Sequence, residues 1–314
     1  MNPFKEGLRY LSEGGQETEL MYGHGFDLPQ FALFPLLDDP AAVATLKGMY
    51  EQLLGVAARR GMAVLLGGLD YRASPDWADL LGYDKPSLRE HQERAIDFLR
   101  EVSAPFRNSI PDILICGIVG PQGDAYERNE TITVASAEAY HSIQLANLAS
   151  AGVDVVQAMT LTNADEAIGI ARAAEAFNLP VVISFMPDLA AYARGSPPLE
   201  EMIRQVDETT GGYPLFYGLN CSHPREFGSL FDHDSRWASR IGLLRPNASS
   251  KEKVALCQIG HLERGDPHEL AELMSELAVQ LPQVKVWGGC CGTWAEHLDL
   301  IAAKLPRPGG QPPP

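Results

Sequence analysis

VDVVQAMTLTNADEAIGIARAAEAFNLPVVISF, residues 153–185, alternates short apolar runs with a longer helical segment. The runs at 153–159 and 181–185 predict strands, and 164–177 predicts a helix. Asn163 and Glu166 have the spacing of an N-terminal capping pair for that helix. Continuous apolar runs indicate strands that are buried on both faces, as in parallel sheets. The stretch therefore predicts a β-α-β unit.

The same alternation runs through the rest of the chain. Apolar runs predict further strands at 8–11, 62–66, 113–119, 215–221, 241–245 and 284–290. Helices are predicted at 40–60, 135–149, 199–209, 267–281 and 295–305, with a helix-rich insertion at 75–106. Eight strands, each followed by helical sequence, predict a single-domain (β/α)8 TIM barrel.

An open, doubly wound sheet is the alternative fold. No Gly-x-Gly-x-x-Gly follows a predicted strand and opens a helix, so nothing favours a dinucleotide fold. The chain of 314 residues suits one barrel of about 250 residues with insertions. We expect the barrel to occupy residues 1–305, and the Pro- and Gly-rich tail at 306–314 to be disordered.

Composition excludes several classes of partner. Lys and Arg number 25 against 41 Asp and Glu, which gives a net charge of −16. This balance disfavours nucleic acid and anionic membranes as partners. No apolar run approaches the roughly 18 residues of a membrane helix, and the N-terminus lacks the apolar core of a signal peptide. We expect a cytoplasmic protein, monomeric or homodimeric, that acts on small molecules.

The cysteines are the chemically informative residues. An odd number of them, without a signal peptide, predicts thiols or metal ligands rather than a disulfide framework. Cys221 ends one predicted strand, and Cys290 and Cys291 lie between glycines at the end of another. Strand ends share one face of a barrel, so three thiols there can hold one zinc ion and leave its fourth position open. Cys116 and Cys257 are expected to be structural.

Six segments, spread over almost the whole chain, resemble the homocysteine S-methyltransferase family of zinc-dependent barrels. They are EGGQETEL at 13–20, IVGP at 118–121, AGVD at 151–154, GLNC at 218–221, RPN at 245–247 and GGCCGT at 288–293. The resemblance implies that Cys221, Cys290 and Cys291 bind zinc and act through it. It implies a methyltransferase of methionine biosynthesis, which moves a methyl group from a sulfonium or ammonium donor to a thiol such as homocysteine.

The resemblance also implies where substrate binds. The backbone N–H groups of Gly14 and Gly15 would receive the carboxylate of homocysteine. Glu13 stands where the family usually has Asp, and is either a partner for the amine or a structural carboxylate at the turn. Met159 stands where the family has the Glu that holds the substrate ammonium, and either forms an apolar wall or packs in the core. Apart from the resemblance, Asn220 precedes a candidate ligand, and is either a residue that orients the substrate or the groups around the ligands, or a turn-forming residue.

Other interpretations stay open at this point. His223 is an alternative metal ligand, although a helix-capping role is favoured because Pro224 follows it. Asn247 is either a substrate-orienting residue or a turn residue, while Tyr217 and Trp287 are expected to pack in the barrel. A zinc hydrolase is one alternative function. A non-catalytic or divergent barrel that binds zinc or a thiol is the other.

Overall fold

Eight parallel strands form a closed barrel in the computed structural model, each paired with its neighbours in chain order. They are β1 (Tyr10–Ser12), β2 (Ala63–Leu66), β3 (Ile113–Val119), β4 (Val155–Leu161), β5 (Val181–Phe185), β6 (Tyr217–Asn220), β7 (Ile241–Arg245) and β8 (Val286–Trp287). The barrel closes where β1 pairs with β8, with Tyr10 opposite Val286. Because every strand has two neighbours, the predicted (β/α)8 barrel is confirmed and the open sheet is excluded.

The structure describes residues 2–125, 129–187, 197–231, 236–251, 260–261 and 263–306. Their helices are α1 (Gln16–Thr18), α2 (Pro40–Arg60), α3 (Pro75–Leu80), α4 (Lys85–Ser103), α5 (Val134–Ala151), α6 (Ala164–Ala176), α7 (Leu199–Thr210), α8 (Pro224–Phe227), α9 (Pro267–Gln280) and α10 (Ala295–Lys304). Single 3₁₀ turns span Pro29–Phe31, Phe34–Asp38, Ala104–Phe106, Gly228–Leu230 and Arg236–Arg240, and a π turn spans Glu19–Gly23. Cys257 and the predicted tail from residue 307 lie outside the described residues.

No helix in these ranges combines the length and the apolar character needed to span a bilayer.

Two strands, β6 and β8, end before the cysteines that the prediction included in them. β6 ends at Asn220, and Cys221 has a φ of 55°, in the left-handed region that a strand cannot continue. β8 ends at Trp287, and the chain turns so that the amide of Cys290 donates to the carbonyl of Pro246 over 2.7 Å. The thiols therefore belong to loops at the C-terminal face of the barrel.

β4 extends further than predicted and contains an irregularity. Thr160 has a φ of 63°, and the pairing with β5 shifts register between Ala158 and Leu161. A β-branched residue in the left-handed region is an outlier that the surrounding structure must hold in place. The irregularity lies next to the candidate site.

The predicted capping pair at α6 is half right. Asn163 caps the helix, since its Oδ1 accepts from the amide of Asp165 over 2.8 Å. Glu166 does not return the cap. Its Oε1 instead accepts from the amide of Gln122 over 2.6 Å and lies 2.9 Å from Nε2 of His141. Glu166 thus ties the loop after β3 to the barrel.

The core has two layers, because alternate strand residues face opposite sides. Side chains such as Leu65, Cys116 and Leu243 fill the barrel interior, and a larger set, including Tyr217 and Trp287, packs between barrel and helices. Cys116 is fully buried, and burial raises the pKa of its thiol well above the usual value. An inert, structural Cys116 fits this position.

Two glycines of one helix provide a stability test. Gly48 lies inside α2 and Gly61 follows its end with a φ of 65°, and an added Cβ would meet no atom within 4 Å at either position. We expect Gly48→Ala to raise the free energy of unfolding by about 0.5–1 kcal/mol. Gly61→Ala should lower the free energy of unfolding by about 1–2 kcal/mol. Gly61, unlike Gly48, has a left-handed backbone, which is strained for alanine. Urea unfolding of the two variants measures both changes. Changes of equal sign would contradict the helical backbone of Gly48 or the left-handed backbone of Gly61.

Candidate metal and substrate site

Three cysteine sulfurs converge at the C-terminal face of the barrel. The Sγ atoms of Cys221, Cys290 and Cys291 all lie within 4.8 Å of one another. Cys221 and Cys290 are joined as a disulfide with a Cα–Cα distance of 5.5 Å, a bond that the sequence did not lead us to expect. Cys291 is half-buried and lies outside this bond. Because thiolates are the metal-binding form of cysteine, the trio can act as ligands only when that disulfide is reduced.

The loop that carries Cys290 and Cys291 is held at several points. Oγ1 of Thr293 donates to the carbonyl of Cys290 over 2.7 Å. The amide of Ala248 donates to the carbonyl of Cys291 over 3.0 Å. On the other side of the site, the amide of Cys221 donates to the carbonyl of Arg245 over 3.2 Å. The sulfurs thus sit on a backbone that β6, β7 and the loop after β8 support together.

Gly14 and Gly15 line the cavity next to the cysteines, but the structure gives their small size another reason. A Cβ on Gly14 would collide with the backbone oxygen of Thr293, and one on Gly15 would lie 2.6 Å from the carbonyl oxygen of Cys290. The amide of Gly15 already donates to the carbonyl of Thr293 over 3.0 Å. The glycines therefore let the cysteine loop pack on β1, and the N–H of Gly15 is not available to a substrate carboxylate.

Glu13 is buried behind the cavity wall. Its Oε1 accepts from Nη1 of Arg245 over 2.6 Å, and its Oε2 accepts from the amide of Gly67 over 3.2 Å. Both side chains of the pair are almost fully buried, at 2% and 3% exposure. With both oxygens engaged, Glu13 serves as the counter-charge of Arg245, and its predicted role as an amine partner would require the pair to separate.

Arg245 is the residue that the sequence interpretation missed. Its Nε donates to the carbonyl of Gly289 over 3.0 Å, and its Nη1 lies 3.4 Å from Sδ of Met159. The guanidinium therefore links the end of β7 to β1, to the end of β4 and to the cysteine loop. The available signal was a single charge at the end of an otherwise apolar strand.

Met159 lines the cavity, whereas Asn220 lies beneath its wall. Oδ1 of Asn220 accepts from the amide of Thr160 over 3.0 Å and from Oγ of Ser184 over 2.8 Å. Its Nδ2 donates to Oγ1 of Thr160 over 3.0 Å. Asn220 thereby holds the left-handed backbone of Thr160, a cavity residue. The predicted substrate-orienting role is better described as positioning of the wall.

The cavity in front of the sulfurs has a volume of about 510 Å³. Its apolar and aromatic wall includes Met21, Tyr22, Phe31, Tyr71, Ile118 and Met159, and its charged residues are Glu17, Arg72, Asp124 and Arg245. Burial raises the pKa of Glu17 to about 7 and that of Tyr71 to about 12. Glu17 and Arg72 had no assigned role from the sequence, although Glu17 lies within the EGGQETEL segment at 13–20.

The structure gives His223 and Asn247 different roles. His223 caps α8, because its Nδ1 accepts from the amide of Arg225 over 3.4 Å, and burial lowers its pKa. Among the described residues, the cysteine cluster contains no histidine. Asn247 lines the cavity, and its Oδ1 is buried without a hydrogen-bond partner in the described chain. The favoured capping role of His223 is confirmed, and Asn247 joins the candidate substrate contacts.

A family model described as homocysteine S-methyltransferase matches residues 59–305. This chain belongs to the homocysteine S-methyltransferase family. The predicted resemblance is confirmed, and with it the assignment as an enzyme of the methyltransferase class.

The chain is also similar to a curated protein and to solved structures. Homocysteine S-methyltransferase of Escherichia coli (strain K12) is 23% identical over 252 residues, which cover 74% of this chain and 77% of the relative. The metallated form of the homocysteine methyltransferase MmuM from Escherichia coli has a TM-score of 0.73 at 18% identity, and covers 95% of this chain and 96% of that one. The oxidized form of MmuM gives 0.71 at 20% identity with the same coverage. At these identities the structural similarity shows the fold.

The buried ion pair of this family member can be tested by a double substitution. Arg245→Met leaves Glu13 buried without a counter-charge, and should lower the free energy of unfolding by about 3–5 kcal/mol. Adding Glu13→Gln should recover much of that loss. Arg204→Met, which breaks an exposed pair with Glu201, is the control and should cost less than about 1 kcal/mol. If the double variant is as unstable as Arg245→Met alone, the loss is not due to an unpaired charge.

Glu17 predicts a pH dependence of stability. Burial raises its pKa from 4.5 to about 7, so the folded protein binds this proton more tightly than the unfolded chain between these values. Stability should therefore fall as pH rises from about 4.5 to about 7, and then level off. Glu17→Gln should remove this component. The test is to measure the unfolding free energies of the wild type and of Glu17→Gln at about pH 5 and pH 8. Equal pH dependence in the two proteins would contradict a contribution from Glu17.

Proposed function

We propose that this protein is a zinc-dependent S-methyltransferase that moves a methyl group from a sulfonium or quaternary ammonium donor to a thiol such as homocysteine. The observation that carries the proposal is the convergence of three cysteine sulfurs at the mouth of a barrel, facing a cavity of about 510 Å³. With homocysteine as acceptor, the product would be methionine.

The donor set fits zinc. Three thiolates are a common zinc ligand set, and they leave the fourth tetrahedral position for a substrate. Cys221, Cys290 and Cys291 would hold the ion once the first two are reduced. When bound, zinc would lower the pKa of a substrate thiol, so that the thiolate forms near neutral pH. Three thiolates and a divalent ion carry a net charge of about −1, and a substrate thiolate brings it to about −2.

The chain's own residues would position the two substrates. The wall around Tyr22, Phe31 and Tyr71 can attract a cationic methyl donor through the faces of its aromatic rings. In the transfer, a lone pair of the acceptor sulfur forms the new S–CH₃ bond. The bond between the methyl carbon and the donor sulfur or nitrogen breaks, and its electrons stay on the donor, which leaves as a neutral thioether or amine. Proximity and alignment are the main contributions of the cavity.

The composition of the cluster favours this reaction over hydrolysis. Hydrolytic zinc sites mainly use histidine and carboxylate ligands with a general base nearby. Among the described residues, the cluster around Cys221 consists of cysteines alone. A poorly Lewis-acidic ion with thiolate ligands suits thiol alkylation better than activation of water.

The test is metal analysis combined with substitution of a ligand. Protein purified under reducing conditions should hold about one zinc per chain. Cys290→Ala should lose the zinc and at least about 100-fold of the methyl transfer, since loss of a ligand exceeds the roughly 10–100-fold cost of losing a ligand's hydrogen-bond partner. Methylated thiol is measured by mass spectrometry with a panel of sulfonium and ammonium donors.

Cys116→Ala is the matched control, because Cys116 lies inside the barrel and outside the sulfur cluster. It should retain both zinc and activity. A fully active, metal-free preparation, or a Cys290→Ala protein with unchanged transfer, would refute the proposal. Hydrolysis without any methyl acceptor activity would favour the zinc hydrolase instead.

A further inference from the structure

Two charged side chains line the cavity without a direct ion pair. Glu17 and Arg72 both lie there, and neither forms an ion pair within the described ranges. The guanidinium groups of Arg245 and Arg72 favour the charged form of Glu17 from a distance, but Arg245 is itself paired with Glu13. An acid and a base that line one cavity without direct ion-pair partners indicate a ligand that carries both charges.

Arg72 is held rigidly beside the cavity. Its guanidinium carbon lies 4.2 Å from the ring centre of Trp77 and 5.4 Å from that of Tyr71. Nη1 donates to the carbonyl of Gly123 over 2.7 Å. The residue is only 8% exposed, and its Nε is buried without a partner in the described chain. A pre-oriented guanidinium with donors to spare is suited to bind a carboxylate.

Glu17 stands out among the acids of the first loop. Glu13 is paired with Arg245, and Glu19 with Arg264, whose Nη2 lies 2.7 Å from its Oε2. Glu17, between them, is the acid of this run that lines the cavity, and no described side chain pairs with it. A carboxylate in this position is suited to accept hydrogen bonds from an ammonium group.

Met159 explains why such an acid is needed here. The resemblance seen in the sequence implies that the family has an ammonium-binding Glu at this position, at the end of β4. The thioether of Met159 instead lies 3.4 Å from Nη1 of Arg245. A second cation placed there would meet the guanidinium rather than a carboxylate, so an ammonium must be bound elsewhere in the cavity.

We propose that Glu17 and Arg72 are the specificity-determining residues for the acceptor, with Glu17 binding its ammonium and Arg72 its carboxylate. The acceptor is then a zwitterionic α-amino acid thiol, recognised by side chains in place of the backbone turn and the strand-four carboxylate. This inference rests on the proposed thiol methyl transfer for the placement of the sulfur. The raised pKa of Glu17 agrees with it, since a bound ammonium would restore the charged form.

The first experiment compares acceptors that lack one charge. Reduced, zinc-loaded, full-length protein is assayed with L-homocysteine, with 4-mercaptobutanoate, which lacks the ammonium, and with 3-mercaptopropylamine, which lacks the carboxylate. The wild type should prefer L-homocysteine by about 10–100-fold in kcat/KM over each truncated thiol, as expected for charged hydrogen bonds.

The variants should remove these preferences separately. Glu17→Gln should abolish the preference over 4-mercaptobutanoate only, and Arg72→Gln the preference over 3-mercaptopropylamine only, mostly through KM. Arg72→Lys should restore part of the lost preference. Glu51→Gln and Arg89→Gln, both exposed and outside the cavity, are matched controls that should change neither. A uniform loss for all three thiols would show a merely structural role and overturn the proposal.

A second measurement does not depend on turnover or on metal. Calorimetry should show that L-methionine binds about 10–100-fold more tightly than 4-(methylthio)butanoate, and that Glu17→Gln removes this difference. Equal affinities in the wild type would overturn the inference. Discrimination in calorimetry without methyl transfer to any thiol would refute the proposed function alone, and transfer without discrimination would refute this inference alone.

Discussion

The site depends on the buried ion pair between Arg245 and Glu13. Arg245 lies at the end of β7, pairs with Glu13 after β1, and donates to the carbonyl of Gly289 in front of the cysteines. A charge at this depth is stable only with a counter-charge and further hydrogen bonds. The side chain of Arg245 thus holds the loop that carries Cys290, while its backbone carbonyl accepts from the amide of Cys221 over 3.2 Å.

The close packing of two loops has a consequence for residue choice. Gly14 and Gly15 have no side chains because the turn at 290–293 rests on them. Asn220 also supports the backbone around the cavity: its side-chain amide holds the left-handed backbone of Thr160. Several residues of the recognisable motifs thus shape the wall of the cavity rather than contact its contents.

Charges in and around the cavity fall into two groups. Glu13 and Arg245 form a buried ion pair and neutralise each other. Glu17 and Arg72 line the cavity in front of the sulfurs and form no ion pair within the described residues. This division separates groups that hold the structure together from groups that are available to a ligand.

Much of the fold was predictable because it follows from local periodicity. The bounds of α2, β3, β5 and β7 agree with the sequence prediction to the residue, since apolar runs and caps are short-range signals. The ends of β6 and β8 were predicted too long, because apolar character does not reveal where Cys221 turns into the left-handed region. The role of Glu166 was also missed, as its partners Gln122 and His141 are distant in sequence.

The sequence by itself determined the alternation of strands and helices and the family, and it singled out the three cysteines that the structure brings together. Only the tertiary structure decided that Glu13 is paired with Arg245, and that Glu17 and Arg72 line the cavity without an ion pair among the described residues. The physical reason is that the availability of a charged group depends on what lies within a few ångströms of it. In a closed barrel, those neighbours come from strands that are more than 200 residues apart, with 232 between Glu13 and Arg245.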